Sequence, residues 1–211
     1  MTTIIDIETT GLPAEQIAHL APEFTTPANY KDADKIAANI TEQRAEWLKR
    51  AALSPLTGKI VAIGFKIPNE EPILMTENEV FMIRHFWEWF NKEADRKFIG
   101  HNILGFDLPF IIRRSWALGV KVPPTVNSGR YLNDRRFIDT MTTFQCGNRT
   151  EKFHGLDTVA RFMGFDGKTE KIGADWFAIF QSDPERALNY LKADLQAVEN
   201  IAQRMGLISS E

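Results

Sequence analysis

Apolar residues recur along the chain with two spacings, one typical of β-strands and one typical of α-helices. The apolar, β-branched run at residues 3–7, closed by Thr-Thr-Gly, predicts a buried central strand. Residues 59–67 alternate as a second strand, and residues 72–76 follow a turn-forming Pro-Asn-Glu-Glu and predict its antiparallel partner. Short apolar runs predict further strands at residues 97–102 and 135–141. The first strands are therefore expected to include a β-hairpin.

Apolar residues with helical spacing occur between the later strands and at the end of the chain. Residues 77–94 place their apolar side chains on one helical face, and residues 106–119 carry a proline in the first helical turn, where its missing N–H costs nothing. Further helices are predicted at residues 154–164 and 183–205, the second of them long. Strands that alternate with helices in this way are typical of an α/β protein.

One segment interrupts the alternation, between about residue 13 and residue 58. It is polar and irregular at first, and its spacing becomes helical from residue 33 to residue 53. No internal repeat, low-complexity tract or linker divides the rest of the sequence. Since 211 residues is the size of one domain, residues 1–211 are predicted to form a single domain with an insertion at about 13–58.

Composition and charge narrow the functional classes. The net charge of −3 and the pI of about 5.9 argue against a protein that coats nucleic acid nonspecifically, because such proteins carry a large excess of Lys and Arg. No apolar run reaches the length of a membrane helix and no secretory signal precedes the first strand, so we expect a cytoplasmic protein without a membrane partner. If the substrate is a phosphate ester, bound metal is expected to attract it.

The candidate chemistry lies in polar residues with strand or helix spacing. Asp6 and Glu8 point to the same face of the first strand, about 6.6 Å apart along it. Tyr190 and Asp194 are four positions apart on the last helix, which puts their Cβ atoms about 6 Å apart on one face. Asp107 opens a helix, where an acidic side chain is favourable. Each feature taken alone is more common on ordinary protein surfaces than in active sites.

Three short motifs occur in a recognisable order: Asp6-Ile-Glu8-Thr-Thr-Gly11, Asn102-Ile-Leu-Gly-Phe106-Asp107 and Tyr190-Leu-Lys-Ala-Asp194. In these motifs and their order the chain resembles the DEDDy 3′–5′ exonucleases of the DEDD superfamily, and specifically the exonuclease domain of family B DNA polymerases. The motifs span nearly the whole chain, and their combination is far more specific than any one of them. The resemblance implies a ribonuclease H-like fold, in which helices flank a mixed five-stranded sheet.

Two further polar residues near the motifs are interpreted as structural. Asp139 is similar to the Asp of the Asp-Thr pair that closes a later strand in such enzymes, and we expect it to cap a helix or to support the residues that hold the metal. His101 precedes the second motif, and we expect it to pack or to form hydrogen bonds and not to act as a base.

The resemblance also implies which residues carry the chemistry. Asp6, Glu8, Asp107 and Asp194 would hold two divalent metal ions, Mg²⁺ or Mn²⁺. Asp6 would bridge both ions, Glu8 and Asp194 would complete the site of the attacking water, and Asp107 would support the second ion. Two such ions can neutralise the phosphate, activate water and stabilise the leaving 3′-oxygen. Tyr190 would orient the water, because a phenol with a pKa of about 10 is a poor base at neutral pH.

The resemblance places the 3′-terminal nucleotide beside the first and second motifs. Thr9, Gly11 and Leu12 would hold this nucleotide with backbone groups and an apolar side chain. Asn102 and Phe106 would border the same groove.

The predicted function is that of an enzyme. We expect a metal-dependent 3′–5′ exonuclease that hydrolyses phosphodiester bonds at the 3′ end of single-stranded DNA and releases 5′-mononucleotides. A 3′–5′ exoribonuclease is one alternative, because catalytic metals do not read the 2′-hydroxyl of RNA. A noncatalytic nucleic-acid-binding module is another, although decayed nucleases usually lose a ligand and this chain keeps all four acids and the tyrosine. The chain carries no polymerase domain, so a polymerase or another replication protein is a candidate partner.

Overall fold

In the described part of the chain, five β-strands form one mixed sheet. The computed structural model describes residues 1–126, 135–148, 150–167, 170 and 172–209. The strands lie in the order β3-β2-β1-β4-β5. Their bounds are β1 Thr2–Gly11, β2 Gly58–Lys66, β3 Ile73–Met75, β4 Lys97–Gly100 and β5 Phe137–Asp139.

Strand direction decides which strand ends meet. β2 is antiparallel to β1 and to β3, which confirms the predicted hairpin, whereas β4 is parallel to β1 and β5 is parallel to β4. The carboxyl ends of β1, β4 and β5 therefore meet at one edge of the sheet. The pairing of β1 with β4 stops at Ile4 and Ile99, although β1 continues to Gly11. Beyond Ile4, another element must satisfy the backbone groups of β1 on that side.

The described residues form eight α-helices and three short 3₁₀ helices. The α-helices are α1 Ala14–Ile17, α2 Ala33–Lys49, α3 Glu79–Lys92, α4 Asp107–Ala117, α5 Thr140–Phe144, α6 Leu156–Phe162, α7 Trp176–Ser182 and α8 Pro184–Arg204. The 3₁₀ helices are Ala18–Leu20, Ala51–Leu53 and Gly173–Asp175. Helices α2, α3, α4, α6 and α8 confirm the predictions, whereas α1, α5 and α7 have too few turns for apolar spacing alone to reveal them. No helix among the described residues is long and apolar enough to cross a membrane.

Helices cover both faces of the sheet, and β1 divides its side chains between the two layers. Ile5 and Ile7 lie in a buried cluster with the apolar faces of α3 and α4. Ile4 lies in a second cluster with α7 and α8. Because strand side chains alternate between faces, Asp6 and Glu8 share the face of Ile4 and point toward the α7–α8 layer.

Helix α8 packs directly on the sheet at Gly64. This glycine of β2 is the register partner of Asp6 on β1. A Cβ atom at Gly64 would lie 2.7 Å from Cδ1 of Leu195 and 3.2 Å from Cγ of Leu191, both of which are fully buried on α8. The missing side chain therefore lets α8 approach the strand pair that carries Asp6.

A buried ion pair fixes the position of α8 along the sheet. Lys66, the last residue of β2, places Nζ 3.2 Å from Oε2 of Glu199, and the two side chains are 7% and 2% exposed. The other carboxylate oxygen of Glu199 accepts the backbone N–H of Asn69 at 2.7 Å, in the turn before β3. Glu199 thus joins α8 to both the strand and the turn.

Residues 13–58 lie between β1 and β2 and contact the end of β1 through their last residues. The backbone N–H of Leu12 donates to the carbonyl of Thr57 at 2.8 Å, and the Thr57 hydroxyl donates to the carbonyl of Ala51 at 2.9 Å. In contrast, α2 contains no fully buried residue. Its Trp47 ring contacts Phe24 of the same segment, with ring centroids 6.3 Å apart.

Replacing Glu199 with glutamine tests the ion pair. The substitution leaves the Lys66 ammonium buried without its opposing charge, so we expect the free energy of unfolding to fall by roughly 3 kcal/mol. Urea denaturation measures this change. The matched control is Arg161→Gln in the Arg161–Asp157 pair, where the arginine is 61% exposed, and it should cost less than about 1 kcal/mol. Equal losses in the two variants would contradict the role given to Glu199.

Candidate metal centre

Three of the predicted acids converge on the α8 side of the sheet. One carboxylate oxygen from each of Asp6, Glu8 and Asp194 lies within 4.8 Å of the other two. Glu8 and Asp194 are 7% and 5% exposed, and Asp6 is half-buried. Like charges at this distance and burial repel one another strongly. Oxygen donors of this kind suit a hard divalent cation, so the three side chains fit a metal ion chemically.

The fourth predicted acid, Asp107, lies outside this group of three. It is the first residue of α4, which packs on the opposite face of the sheet from α8. Its Oδ1 accepts the backbone N–H of Ile7 at 3.1 Å. Ile7 lies in the part of β1 beyond its pairing with β4. Because β4 offers no carbonyl to the Ile7 N–H, the Asp107 carboxylate serves as its hydrogen-bond acceptor. Asp107 is thereby held beside the backbone between Asp6 and Glu8.

Burial changes the acidity of Asp107. The side chain is 3% exposed, and loss of solvation raises its pKa from 3.8 to about 7. Hydrogen bonds from its own N–H and from that of Ile7 lower the pKa, and the nearby Asp139 carboxylate raises it. In the absence of a cation, the Asp107 carboxyl group is therefore partly protonated near neutral pH.

Asp139 is structural, as the sequence predicts. Its buried carboxylate caps α5 by accepting the backbone N–H groups of Met141 at 2.9 Å and Thr142 at 3.4 Å. It also accepts the N–H groups of Asn102 at 2.9 Å and Leu104 at 3.1 Å. One side chain thus joins the end of β5 to the turn that leads into α4.

His101 forms hydrogen bonds, as predicted. Its Nδ1 lies 3.0 Å from the hydroxyl of Thr140, and its Nε2 lies 2.8 Å from the carbonyl oxygen of His154. Both ring nitrogens are therefore engaged in contacts within the protein.

Asn102 and Phe106 shape the turn that delivers Asp107. Asn102 has a left-handed backbone, with φ of 66°. A Cβ atom at Gly105 would collide with Oδ1 of Asn102, so a larger residue here would force the Asn102 side chain to move. The N–H of Phe106 donates to the Asn102 carbonyl at 2.8 Å, and its half-buried ring lies 5.5 Å from that of Phe110. The two predicted groove residues are thus adjacent in space as well as in the motif.

Thr9, Gly11 and Leu12 contact the 13–58 segment. The Thr9 hydroxyl donates to the carbonyl of Ala52 at 2.7 Å, and a Cβ atom at Gly11 would lie 3.1 Å from Cβ of Ala51. The Leu12 N–H is the donor to Thr57 described above. All three residues remain partly exposed. The strand end that the sequence associates with the substrate is therefore packed against this segment.

Tyr190 and Asp194 line one cavity of about 410 Å³ along the first half of α8. The Tyr190 hydroxyl lies near Gly173, where a Cβ atom would be 3.6 Å from the phenol oxygen. The other described lining residues are Glu170, Asp183, Glu185, Arg186, Asn189 and Ala193. Arg186 also lines this cavity, although none of the three motifs contains it. Its signal is its spacing, since it precedes Tyr190 by the same four positions that separate Tyr190 from Asp194.

Known proteins resemble the chain in sequence and in fold. A family model described as a predicted 3′–5′ exonuclease related to the exonuclease domain of PolB matches residues 70–197. The uncharacterized protein MJ0365 of Methanocaldococcus jannaschii is 40% identical over 119 residues, which are 56% of this chain and 64% of that protein. The chain therefore spans less than two thirds of the relative's length.

A solved structure shares the fold. The family B DNA polymerase from the hyperthermophilic archaeon Pyrobaculum calidifontis superposes with a TM-score of 0.60 at 18% identity, over 97% of this chain and 24% of the polymerase chain. This similarity and the mixed five-stranded sheet flanked by helices confirm the predicted ribonuclease H-like fold.

Asp107→Asn tests the raised pKa. Between pH 3.8 and about 7, folded metal-free protein keeps a proton on Asp107 that the unfolded chain has released. This contribution to stability is fully present below pH 3.8 and is lost as the pH rises through about 7. It is on the order of 4 kcal/mol, since one pKa unit corresponds to about 1.4 kcal/mol. Asparagine imitates the protonated acid, so the free energy of unfolding of the variant should not fall in this way as the pH rises.

Urea denaturation in EDTA at a series of pH values measures the difference between wild type and Asp107→Asn. The difference in free energy of unfolding should grow in favour of the variant as the pH rises. Parallel pH profiles for the two proteins would show that Asp107 is ionised in the folded state throughout.

Proposed function

The chain belongs to the family of predicted 3′–5′ exonucleases related to the exonuclease domain of PolB, and we propose that it is a metal-dependent 3′–5′ exonuclease. It would act on the 3′ end of single-stranded DNA and release 5′-mononucleotides. The observation that carries this proposal is the convergence of Asp6, Glu8 and Asp194. A buried cluster of three acids is unfavourable by itself, and a divalent cation is the partner that makes it favourable.

Asp6, Glu8, Asp107 and Asp194 are the proposed ligands of two divalent ions, Mg²⁺ or Mn²⁺. The first, second and fourth of these supply the converging oxygens. Asp107 is included because it belongs to the second motif and its hydrogen bond to the amide of Ile7 holds it beside the β1 backbone between Asp6 and Glu8. The ions, when bound, would neutralise the phosphate, lower the pKa of the attacking water and stabilise the leaving 3′-oxygen.

Tyr190 is proposed to orient the attacking water. It lies one helical turn before Asp194 on α8, and the two side chains line the same cavity. With an ordinary pKa of about 10, a phenol stays protonated at neutral pH and can hold a water by hydrogen bonding without removing its proton. Positioning alone is a substantial effect, because a misplaced nucleophile loses much of its effective concentration.

The residues around the first two motifs are proposed to bind the 3′-terminal nucleotide. The hydroxyl of Thr9 donates to Ala52, so backbone groups are the part of this residue left to meet a nucleotide. Leu12 would contact the base or sugar with its partly exposed side chain. Asn102 and Phe106 would form the opposite border, on the turn that precedes α4.

A cleavage assay tests the proposed function. Single-stranded DNA and RNA oligonucleotides of one sequence, each labelled at the 5′ end, are incubated with the protein in Mg²⁺, Mn²⁺ or EDTA. We expect a ladder that shortens from the 3′ end of DNA with either metal and no change in EDTA. Shortening of RNA alone would identify an exoribonuclease. Binding without cleavage under any metal would identify a noncatalytic module, and Asp6→Asn is the control for a contaminating nuclease.

The variants Tyr190→Phe and Asp194→Asn separate the water-orienting role from the metal-binding role. Tyr190→Phe keeps every proposed ligand and should preserve Mn²⁺ affinity, while turnover falls at least about tenfold if positioning contributes roughly 1.4 kcal/mol to the barrier. Asp194→Asn removes a charged ligand and should lose both Mn²⁺ affinity and activity. Calorimetry with Mn²⁺ and nucleotide release from single-stranded DNA measure the two effects. Full activity of Tyr190→Phe, or unchanged Mn²⁺ affinity of Asp194→Asn, would contradict these roles.

A further inference from the structure

Arg186 shares a helix face with two residues of the candidate site. Arg186, Tyr190 and Asp194 follow one another at intervals of four residues on α8, so their side chains lie in one row. All three line the cavity of about 410 Å³. A ligand in this cavity can therefore contact the guanidinium group.

Arg186 is a positively charged residue in a cavity lined mainly by acidic and neutral side chains. The described lining residues include the acids Glu170, Asp183, Glu185 and Asp194, and Arg186 is the cation among them. A phosphodiester in this cavity would meet repulsion from the acids and attraction from the guanidinium. Arginine also matches phosphate in geometry, because its planar group presents two parallel N–H donors.

In this structure the carboxylate of Glu170 takes the place that a phosphate would take. Nε and Nη2 of Arg186 both lie 2.8 Å from Oε2 of Glu170. The two side chains are 49% and 42% exposed, and exposed pairs of this kind contribute little to stability. Replacing this carboxylate with another anion on Arg186 should therefore cost little free energy.

The backbone of Arg186 is anchored independently of this pair. Asp183, the residue that caps α8, accepts the Arg186 backbone N–H at 3.1 Å. The guanidinium can thus change partners while the start of the helix keeps its cap.

We propose that Arg186 is a phosphate-binding residue for single-stranded nucleic acid, and that Glu170 occupies its guanidinium until the nucleic acid binds. The proposal rests on the proposed function for the identity of the substrate. A backbone phosphate would replace the Glu170 carboxylate on the same two N–H donors, one helical turn from Tyr190 and two turns from Asp194. Glu170 would then weaken binding by competition, and its removal would strengthen binding.

Salt dependence of binding tests this role directly. Each phosphate contact to a single strand contributes about 0.7 to the slope of log K against log salt concentration. Arg186→Gln should weaken binding of a 5′-fluorescein oligo-dT strand roughly tenfold, the loss of one charge-assisted hydrogen-bonding group, and should reduce the slope by about 0.7. Fluorescence anisotropy in EDTA, where cleavage cannot occur, measures both quantities over a range of NaCl concentrations.

Two further variants make the test specific. Lys192→Gln removes one exposed positive charge from a residue of α8 that does not line the cavity, and it should leave the slope unchanged. Glu170→Gln should bind the strand more tightly than wild type. The proposal is overturned if Arg186→Gln and Lys192→Gln have the same slope, if Glu170→Gln binds more weakly, or if wild type binds no oligonucleotide.

Kinetic measurements separate this proposal from the proposed function. With Mg²⁺ or Mn²⁺, Arg186→Gln should raise KM for the strand about tenfold, while Mn²⁺ affinity measured by calorimetry stays at the wild-type value. A loss of Mn²⁺ affinity would show that Arg186 supports the metal centre and does not bind phosphate. If wild type binds the strand but cleaves neither DNA nor RNA, the proposed function fails, and the salt slope still decides the role of Arg186.

Discussion

The contact between α8 and the sheet is the one on which the candidate site depends. Asp6 and Glu8 belong to β1, and Asp194 belongs to a helix almost two hundred residues later in the chain. Gly64 allows the helix to pack directly on β2, and the ion pair of Glu199 with Lys66 fixes the helix along the strand. The packing of α8 on the sheet thus holds Asp194 close to Asp6 and Glu8.

The electrostatics of the site point to a cation. Asp6, Glu8 and Asp194 each bring one carboxylate oxygen within 4.8 Å of the other two, and carboxylates this close repel one another when they are ionised. Asp107 lies outside this group. Its own burial raises its pKa to about 7, and its hydrogen bond to Ile7 joins α4 to the part of β1 that β4 does not reach. Divalent ions would reverse this balance, because they favour the ionised form of every acid around them. The arrangement is consistent with membership in a family of predicted 3′–5′ exonucleases.

Many of the strands and helices could be predicted, because the spacing of apolar residues differs between a strand and a helix. The hairpin of β2 and β3, the later strands and the five longer or better patterned helices all occur where the spacing indicates. The short helices α1, α5 and α7 could not be predicted, since one or two turns carry too little periodicity. The helix-capping role of Asp139 could also be predicted, because a cap joins residues that are neighbours in the sequence. Its hydrogen bonds to the turn at residues 102–104 could not, because they join distant parts of the sequence.

The sequence by itself determined how the candidate residues align within single elements: strand alternation puts Asp6 and Glu8 on one face, and helical spacing aligns Tyr190 with Asp194. Only the tertiary structure decided which of them meet. It brings Asp194 to Asp6 and Glu8, holds Asp107 against the backbone of Ile7 and places Arg186 in the same cavity as Tyr190. The physical reason is that periodicity describes the faces of single elements, whereas distances between elements follow from how their side chains pack against each other.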